Sequence, residues 1–315
     1  MEVSANGTTY SSEDVKAGVQ EGNRNYCDAG TNELTEKEMD EIFAFAQSKD
    51  IAIIPLINSP GHMDAILTAA SKVTDTDCSY NGSVRTIDVT KPEAVNFTMA
   101  LLDKYIRYFA GKGCTVFNIG CDEYANDIYN TGSMGFGQLV SDGNYGAFIN
   151  YVNNLAALVQ NAGMTAMAFN DGFYFNGNTS YGTFDTDIAI AFWSSGWGSG
   201  TAAYRSMSAV DLAARGHAII NTNGDWYYIL GMSDINNVTA NIQKTPHDSV
   251  MGSGDMDVAG SMLCYWCDEP EKEYTEAEAL NLTVQVSTFA KANPSVFEAD
   301  PAPEPMPGDE ENVPE

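Results

Sequence analysis

Six strand-sized apolar runs, at 51–56, 115–119, 165–169, 188–192, 218–221 and 260–265, constrain this chain more than any other feature. The runs are nearly continuous, as in strands covered on both faces, and do not alternate as half-exposed strands do. Helical patterns fall between most of them. Met39, Ile42, Phe43 and Ala46 stand at i, i+3, i+4 and i+7 behind Thr35 and Glu38, which have capping-box spacing. Val95, Met99, Leu102, Ile106 and Phe109 form a second stripe behind Thr90 and Glu93, and Phe148, Val152, Leu155 and Val159 a third. Thr275 and Glu278 open another helix carrying Leu280, Val284 and Phe289. Strands alternating with helices predict an α/β fold with parallel strands.

Polar and aromatic residues gather just after the runs, at 58–64, 122–127, 170–174, 193–197, 222–228 and 266–269. In a (β/α)8 barrel that rim is the catalytic face, where several strand ends deliver side chains into one pocket. A doubly wound sheet would concentrate its ligand at one switch point, usually behind a Gly-rich turn, and no such turn follows any run. A length of 315 residues suits one large domain, predicted over 1–298. From 299 to 315 prolines alternate with Asp and Glu, a composition that cannot build a core and predicts an extended linker.

Charge narrows the partners. Asp and Glu total 43 against 15 Lys and Arg, a formal charge of −28 that repels phosphate backbones and anionic membranes. No apolar run approaches the ~20 residues of a spanning helix, so membrane insertion is not expected. Residues 1–10 lack the basic and apolar regions of a signal peptide. The six cysteines are too sparse for a disulfide scaffold. Cys264 and Cys267 form a C-x-x-C with no second pair or histidine cluster nearby, and buried packing explains them better than zinc or redox chemistry. The three histidines, His62, His217 and His247, are scattered, so neither a metal nor a cofactor is implied.

Three patterns carry chemistry. Asp122 and Glu123 are adjacent carboxylates after the apolar run at 115–119, a candidate acid/base pair, although Asp-Glu also opens helices and solvated turns. The segment 55–64 brings His62 to a second strand end. Four tryptophans, Trp193, Trp197, Trp226 and Trp266, stand at predicted strand ends. Tryptophans usually fill cores, yet four at one rim exceed what a core needs, and flat rings stack on sugar faces while carboxylates and amides bind hydroxyls.

At these residues the chain resembles the family 20 glycoside hydrolases, the exo-acting β-N-acetylhexosaminidases, and in particular the branch found in large cell-surface enzymes of Gram-positive bacteria. The resemblance covers residues 3–298 and rests on six ordered segments. These are Pro60-Gly61-His62, Gly120-x-Asp122-Glu123, Phe169-Asn170-Asp171-Gly172, Trp193-x3-Trp197-Gly198, Asn221-Thr222-Asn223 with Trp226-Tyr227-Tyr228, and Trp266-x-Asp268. It implies a retaining mechanism in which the substrate's own acetamido oxygen is the nucleophile. Glu123 would be the general acid and base, Asp122 would hold the acetamido N–H, and Tyr227 the acetamido oxygen. His62 would support the acid, Trp266 would floor the pocket, and Trp193 and Trp226 would wall it. Trp197 would lie toward the leaving group, and Asp268, where many relatives have Glu, would bind hydroxyls. Asn170 and Asp171 would position the acetamido group or His62, or serve as strand-end structure. Phe169 replaces a Trp common in relatives.

The implied partner is a glycan ending in N-acetylglucosamine or N-acetylgalactosamine, met outside the cell or on a bacterial surface. Residues 1–50 show one helix and no strand of barrel quality, so the expected fold is a (β/α)8 barrel, truncated at its N-terminal side, with about six of eight strands. The arginine that relatives place after their first strand has no counterpart. A homo-oligomer could cover the open side. The alternative is a non-catalytic carbohydrate-binding remnant or an inactive fragment of such an enzyme.

Overall fold

The computed structural model describes residues 2–23, 33–129, 133–196, 205–268 and 274–296; Trp197 and the proline-rich 299–315 lie outside them. The chain opens with a hairpin, β1 (Val3–Ala5) and β2 (Thr8–Tyr10), followed by helices α1 (Ser12–Asn23) and α2 (Glu36–Ser48). Strand β3 (Leu56–Ser59) precedes α3 (Asp64–Thr74) and α4 (Pro92–Gly111). Then β4 (Val116–Gly120), α5 (Met134–Ser141), α6 (Tyr145–Asn161), β5 (Thr165–Phe169) and β6 (Ala189–Phe192) follow. After α7 (Ala209–Ala214) come β7 (Ile219–Asn221), β8 (Tyr228–Ile229) and α8 (Ile235–Lys244). The chain continues through β9 (Ser249–Val250), β10 (Gly254–Asp255), β11 (Gly260–Ser261) and β12 (Tyr265–Trp266) to α9 (Glu276–Ala279) and α10 (Asn281–Ala292).

Six of these strands form one parallel sheet in the order β11-β7-β6-β5-β4-β3, so successive strands are neighbours and every carboxyl end lies on the same rim. β12 pairs in parallel with β8 as a separate ladder just beyond that rim. The core lies between sheet and helices. Phe97, Leu101, Leu102 and Ile106 of α4 and Phe148, Val152, Leu155 and Val159 of α6 are buried against Phe117, Ile119, Ala166, Ala168, Ile190 and Phe192. Each large apolar side chain buried in this way contributes roughly 1.5–3 kcal/mol.

Several expectations shift. The first strand of the parallel sheet, β3, lies at Leu56–Ser59, later than the run at 51–56, because Pro55 offers no N–H to a ladder while its carbonyl is used by Asn118 N. The run at 260–265 is divided between β11 and β12. The hairpin near residue 5 was not anticipated; its alternation is too short to register. The Thr35–Glu38 capping box forms. Thr90 caps nothing: α4 starts at Pro92 with no side-chain cap, and the Thr90 hydroxyl donates to Asp88. Helix α2 buries none of its residues, and Ile42, Phe45, Ile51, Ile54 and Leu56 stay exposed along the β3 side of the molecule.

Candidate active site

The sheet's carboxyl rim holds a cavity of about 280 Å³. His62 from the β3 end, Asp122 and Glu123 from the β4 end, Phe169 from β5 and Trp193 from the β6 end line one side of it. Tyr227, Ile229, Trp266 and Asp268 complete it. Close backbone approach makes this possible. Gly61 packs against the Asp122 carbonyl, where a Cβ would come within 2.8 Å. Gly120, at φ 75°, lies against Asn58, whose side chain any Cβ would overlap.

Beyond Gly120 the chain stays unusual: Cys121, Glu123 and Ala125 have φ of 75°, 48° and 54°. Left-handed backbone at non-glycine residues costs roughly 1–3 kcal/mol apiece and persists only where surrounding bonds hold it. Here Cys121 N donates to Ser59 O, Ala125 N to Thr86 Oγ1, and Glu123 N to Asp171 Oδ2 at 2.6 Å.

The two carboxylates share a cation. His62 Nε2 lies 3.5 Å from Asp122 Oδ2 and 3.3 Å from Glu123 Oε2. Burial by itself would lower the histidine's pKa, but the bonds and charges of the two carboxylates outweigh it and hold His62 at about 10, an imidazolium at neutral pH. Glu123 Oε2 also accepts from Asn126 Nδ2 at 2.6 Å. Asp122 Oδ1, shielded from solvent, has no hydrogen-bond partner. Across the cavity, burial, reinforced by Cys264 and Asp122, pushes the Tyr227 hydroxyl well above its ordinary value, so it remains an O–H donor. That hydroxyl meets the Cys264 thiol, itself pushed up to about 12 by burial, and the Thr222 carbonyl at 3.3 Å. The Trp266 ring meets Tyr227 edge-on at 5.9 Å.

Of the residues expected at the site, Asp122, Glu123, His62, Tyr227, Trp193, Trp266 and Asp268 line the cavity. Trp226 does not. It is completely buried, edge-on to Phe289 at 5.2 Å, with its Nε1–H directed at Thr245 O, in a cluster with Val238 and Ile242. The short turn before it turns its ring into the core and leaves the next residue, Tyr227, for the rim. Asn170 is buried too, and its amide is spent on the β6 end: Oδ1 accepts from Trp193 N and Ser194 N, and Nδ2 donates to Ser194 O. Asp171 sits behind the cavity wall, completely buried. Sequence reasoning missed Asn126 and Ile229. Asn126 stands three residues after Glu123 in a segment that reads only as polar. Among the described residues no cluster of His, Cys, Asp or Glu is arranged to hold a metal ion.

With this geometry in place, comparison with known proteins is decisive. A profile described as glycosyl hydrolase family 20, catalytic domain, matches residues 3–283. The chain belongs to glycosyl hydrolase family 20. Residues 3–283 therefore carry the catalytic domain of a glycoside hydrolase family. Two solved structures of modules from the pneumococcal exo-β-D-N-acetylglucosaminidase StrH are similar to it. One is 40% identical with a TM-score of 0.85, covering 93% of this chain and 72% of that one. The other, from work on StrH inhibition and N-glycan recognition, is 39% identical with a TM-score of 0.87, covering 95% and 72%. The family 20 chain is also 29% identical over 168 residues to a lacto-N-biosidase of Bifidobacterium bifidum; the match takes in 50% of this chain but 14% of that much longer protein.

Proposed function

We propose that the chain is a retaining exo-β-N-acetylhexosaminidase that removes a terminal β-linked N-acetylglucosamine or N-acetylgalactosamine by substrate-assisted catalysis. The observation that carries this reading is the division of labour across one small cavity. Glu123 is held by two donors, Asp122 keeps an unpartnered oxygen, and a permanently protonated Tyr227 hydroxyl lines the same cavity. The acetamido carbonyl oxygen attacks the anomeric carbon while Glu123 gives its proton to the departing glycosidic oxygen, and the C1–O bond breaks. Tyr227 donates to the acetamido oxygen and aligns it, and Asp122 accepts from the acetamido N–H as positive charge develops there. Water then attacks C1 of the oxazolinium, Glu123 takes its proton, and the ring opens with overall retention. His62 pairs with the Asp122 carboxylate while Glu123 still holds its proton, and once that proton has left it stands 3.3 Å from Glu123 Oε2 to offset the new negative charge beside Asp122.

Trp193, Trp266 and Phe169 offer apolar faces to one sugar ring and its methyl group, and a volume of about 280 Å³ suits a single monosaccharide. The StrH structures, named for an exo-β-D-N-acetylglucosaminidase, favour N-acetylglucosamine. The six parallel strands fit an arc of a (β/α)8 barrel, and β3 and β11 are the edges at which its remaining β/α units would add. The exposed Ile51, Ile54 and Leu56 beside β3 support that reading. The acidic, proline-rich 299–315 suits a spacer in a protein working outside the cell. No helix among the described residues is long and apolar enough to cross a membrane. The test is hydrolysis of 4-nitrophenyl N-acetyl-β-D-glucosaminide beside the matching β-D-glucoside. Release from the first alone is expected; equal release from both, or from neither, contradicts the proposal.

A further inference from the structure

We infer that Asp171 is a positioning residue that fixes the acid/base loop to the pocket wall, one carboxylate oxygen holding the backbone of Glu123 and the other the indole of Trp193. This rests on the reading of Glu123 as general acid. Glu123 N–H donates to Oδ2 at 2.6 Å, and Trp193 Nε1–H donates to Oδ1 at 3.0 Å. The two donors come from the ends of β4 and β6, while Asp171 follows β5 between them, so one side chain spans three adjacent strands.

Two observations set this apart from ordinary strand-end stitching. Asn170 already ties β5 to β6, through Trp193 N, Ser194 N and Ser194 O. The bonds of Asp171 therefore add something different, a grip on the loop beyond β4. That loop needs one, because Glu123 is left-handed between two further left-handed residues, Cys121 and Ala125. The acceptor is also unfavourable as a mere structural choice. Asp171 is fully buried beside Asp122 and Glu123; burial first and then the Asp122 charge push its pKa up, and the N–H groups of Glu123 and Trp193 are what pull it back toward the ionised form. Only an acceptor on both sides satisfies two converging N–H groups. An amide of the same shape turns one oxygen into an NH2 that faces a donor.

The consequence is mechanical. The Glu123 carboxyl and the Trp193 face are set at a fixed separation by one group, so a sugar seated on the tryptophan presents its leaving oxygen to the acid. Small misplacements of this kind are costly in rate.

Asp171→Asn tests the inference through leaving-group dependence. A 2,4-dinitrophenyl glycoside departs without acid assistance, whereas a methyl glycoside needs it. The expected result is a fall in kcat/KM on the methyl N-acetylglucosaminide larger than that on the dinitrophenyl one by on the order of 10- to 10²-fold. Trp193→Phe, which keeps the Glu123 bond, is expected to raise KM and leave the ratio between the two substrates unchanged. Equal losses on both substrates in Asp171→Asn would overturn the inference. A second measurement depends neither on activity nor on the variant's folding: in the unaltered protein the Glu123 amide and Trp193 indole protons should both resonate far downfield and exchange slowly. Fast exchange at either overturns the positioning role. If those protons behave as expected while no N-acetylglucosaminide is hydrolysed, the proposed activity fails and the structural link stands.

Discussion

Trp226 is the chain neighbour of Tyr227 and Trp266 its ring neighbour, and replacing each by alanine should fail in a different way. Trp226 is fully buried against Phe289, with its indole N–H turned to Thr245 O. Deleting such a ring removes its transfer energy and leaves a cavity, at a cost of about 3–5 kcal/mol. The Thr245 carbonyl also loses a donor. For a domain of this size each kcal/mol lowers Tm by about 2–4 °C, so Trp226→Ala should melt about 6–20 °C below the parent. Trp266 is only partly buried and lines the cavity. Trp266→Ala should shift Tm by a few degrees at most while abolishing detectable binding of an N-acetylglucosamine-thiazoline. Calorimetric melting and ligand titration on the same samples separate the two. A Trp226→Ala protein that melts with the parent but no longer binds the sugar would refute the reasoning and return Trp226 to the pocket.

Glu123→Gln keeps the shape but has no proton to give; turnover of a methyl glycoside should drop by about 10²-fold or more with KM little changed, and residual activity within tenfold would count against the acid. Tyr227→Phe removes one preorganised donor and should cost about 10²-fold in kcat while the melting temperature holds, as among the described residues its hydroxyl meets Thr222 O and the Cys264 thiol; an unchanged kcat would argue against it. His62, raised from 6.5 to about 10, contributes stability that is complete below about pH 6.5 and is lost as pH climbs toward 10. The Tm gap between the parent and His62→Gln should therefore narrow over that range, and ring-nitrogen NMR should find His62 protonated at about pH 8 while His217, lowered chiefly by burial, is neutral. A gap that stays constant with pH would contradict the imidazolium.

What could be read from the sequence followed from signals that survive without neighbours. Continuous apolar runs such as 165–169 marked central strands because both faces are covered. The adjacency of Asp122 and Glu123 was visible because the chain itself places them side by side. Trp226 was misplaced because a tryptophan at a strand end looks the same whether its ring turns inward or outward; the turn at 224–226 decides, and it is read from backbone geometry. Asn170 and Asp171 were recognised as important but not told apart, since only the positions of β4 and β6 reveal that one amide serves Ser194 and the neighbouring carboxylate serves Glu123. Asn126 carried no signal beyond its spacing from Glu123. The exposure of Ile51 and Ile54 inverts the usual inference from an apolar run, because β3 is an edge strand.

The most direct test of the account is the rate of this family 20 chain on 4-nitrophenyl β-glucosaminides whose N-acyl group is acetyl, monofluoroacetyl, difluoroacetyl or trifluoroacetyl. Fluorine withdraws electrons from the carbonyl oxygen and changes the group's size only slightly. If that oxygen attacks the anomeric carbon, kcat must fall progressively across the series, with the trifluoroacetyl substrate slowest. A flat series, accompanied by a stoichiometric glycosyl adduct on Asp122 or Glu123, would mean that a protein carboxylate is the nucleophile.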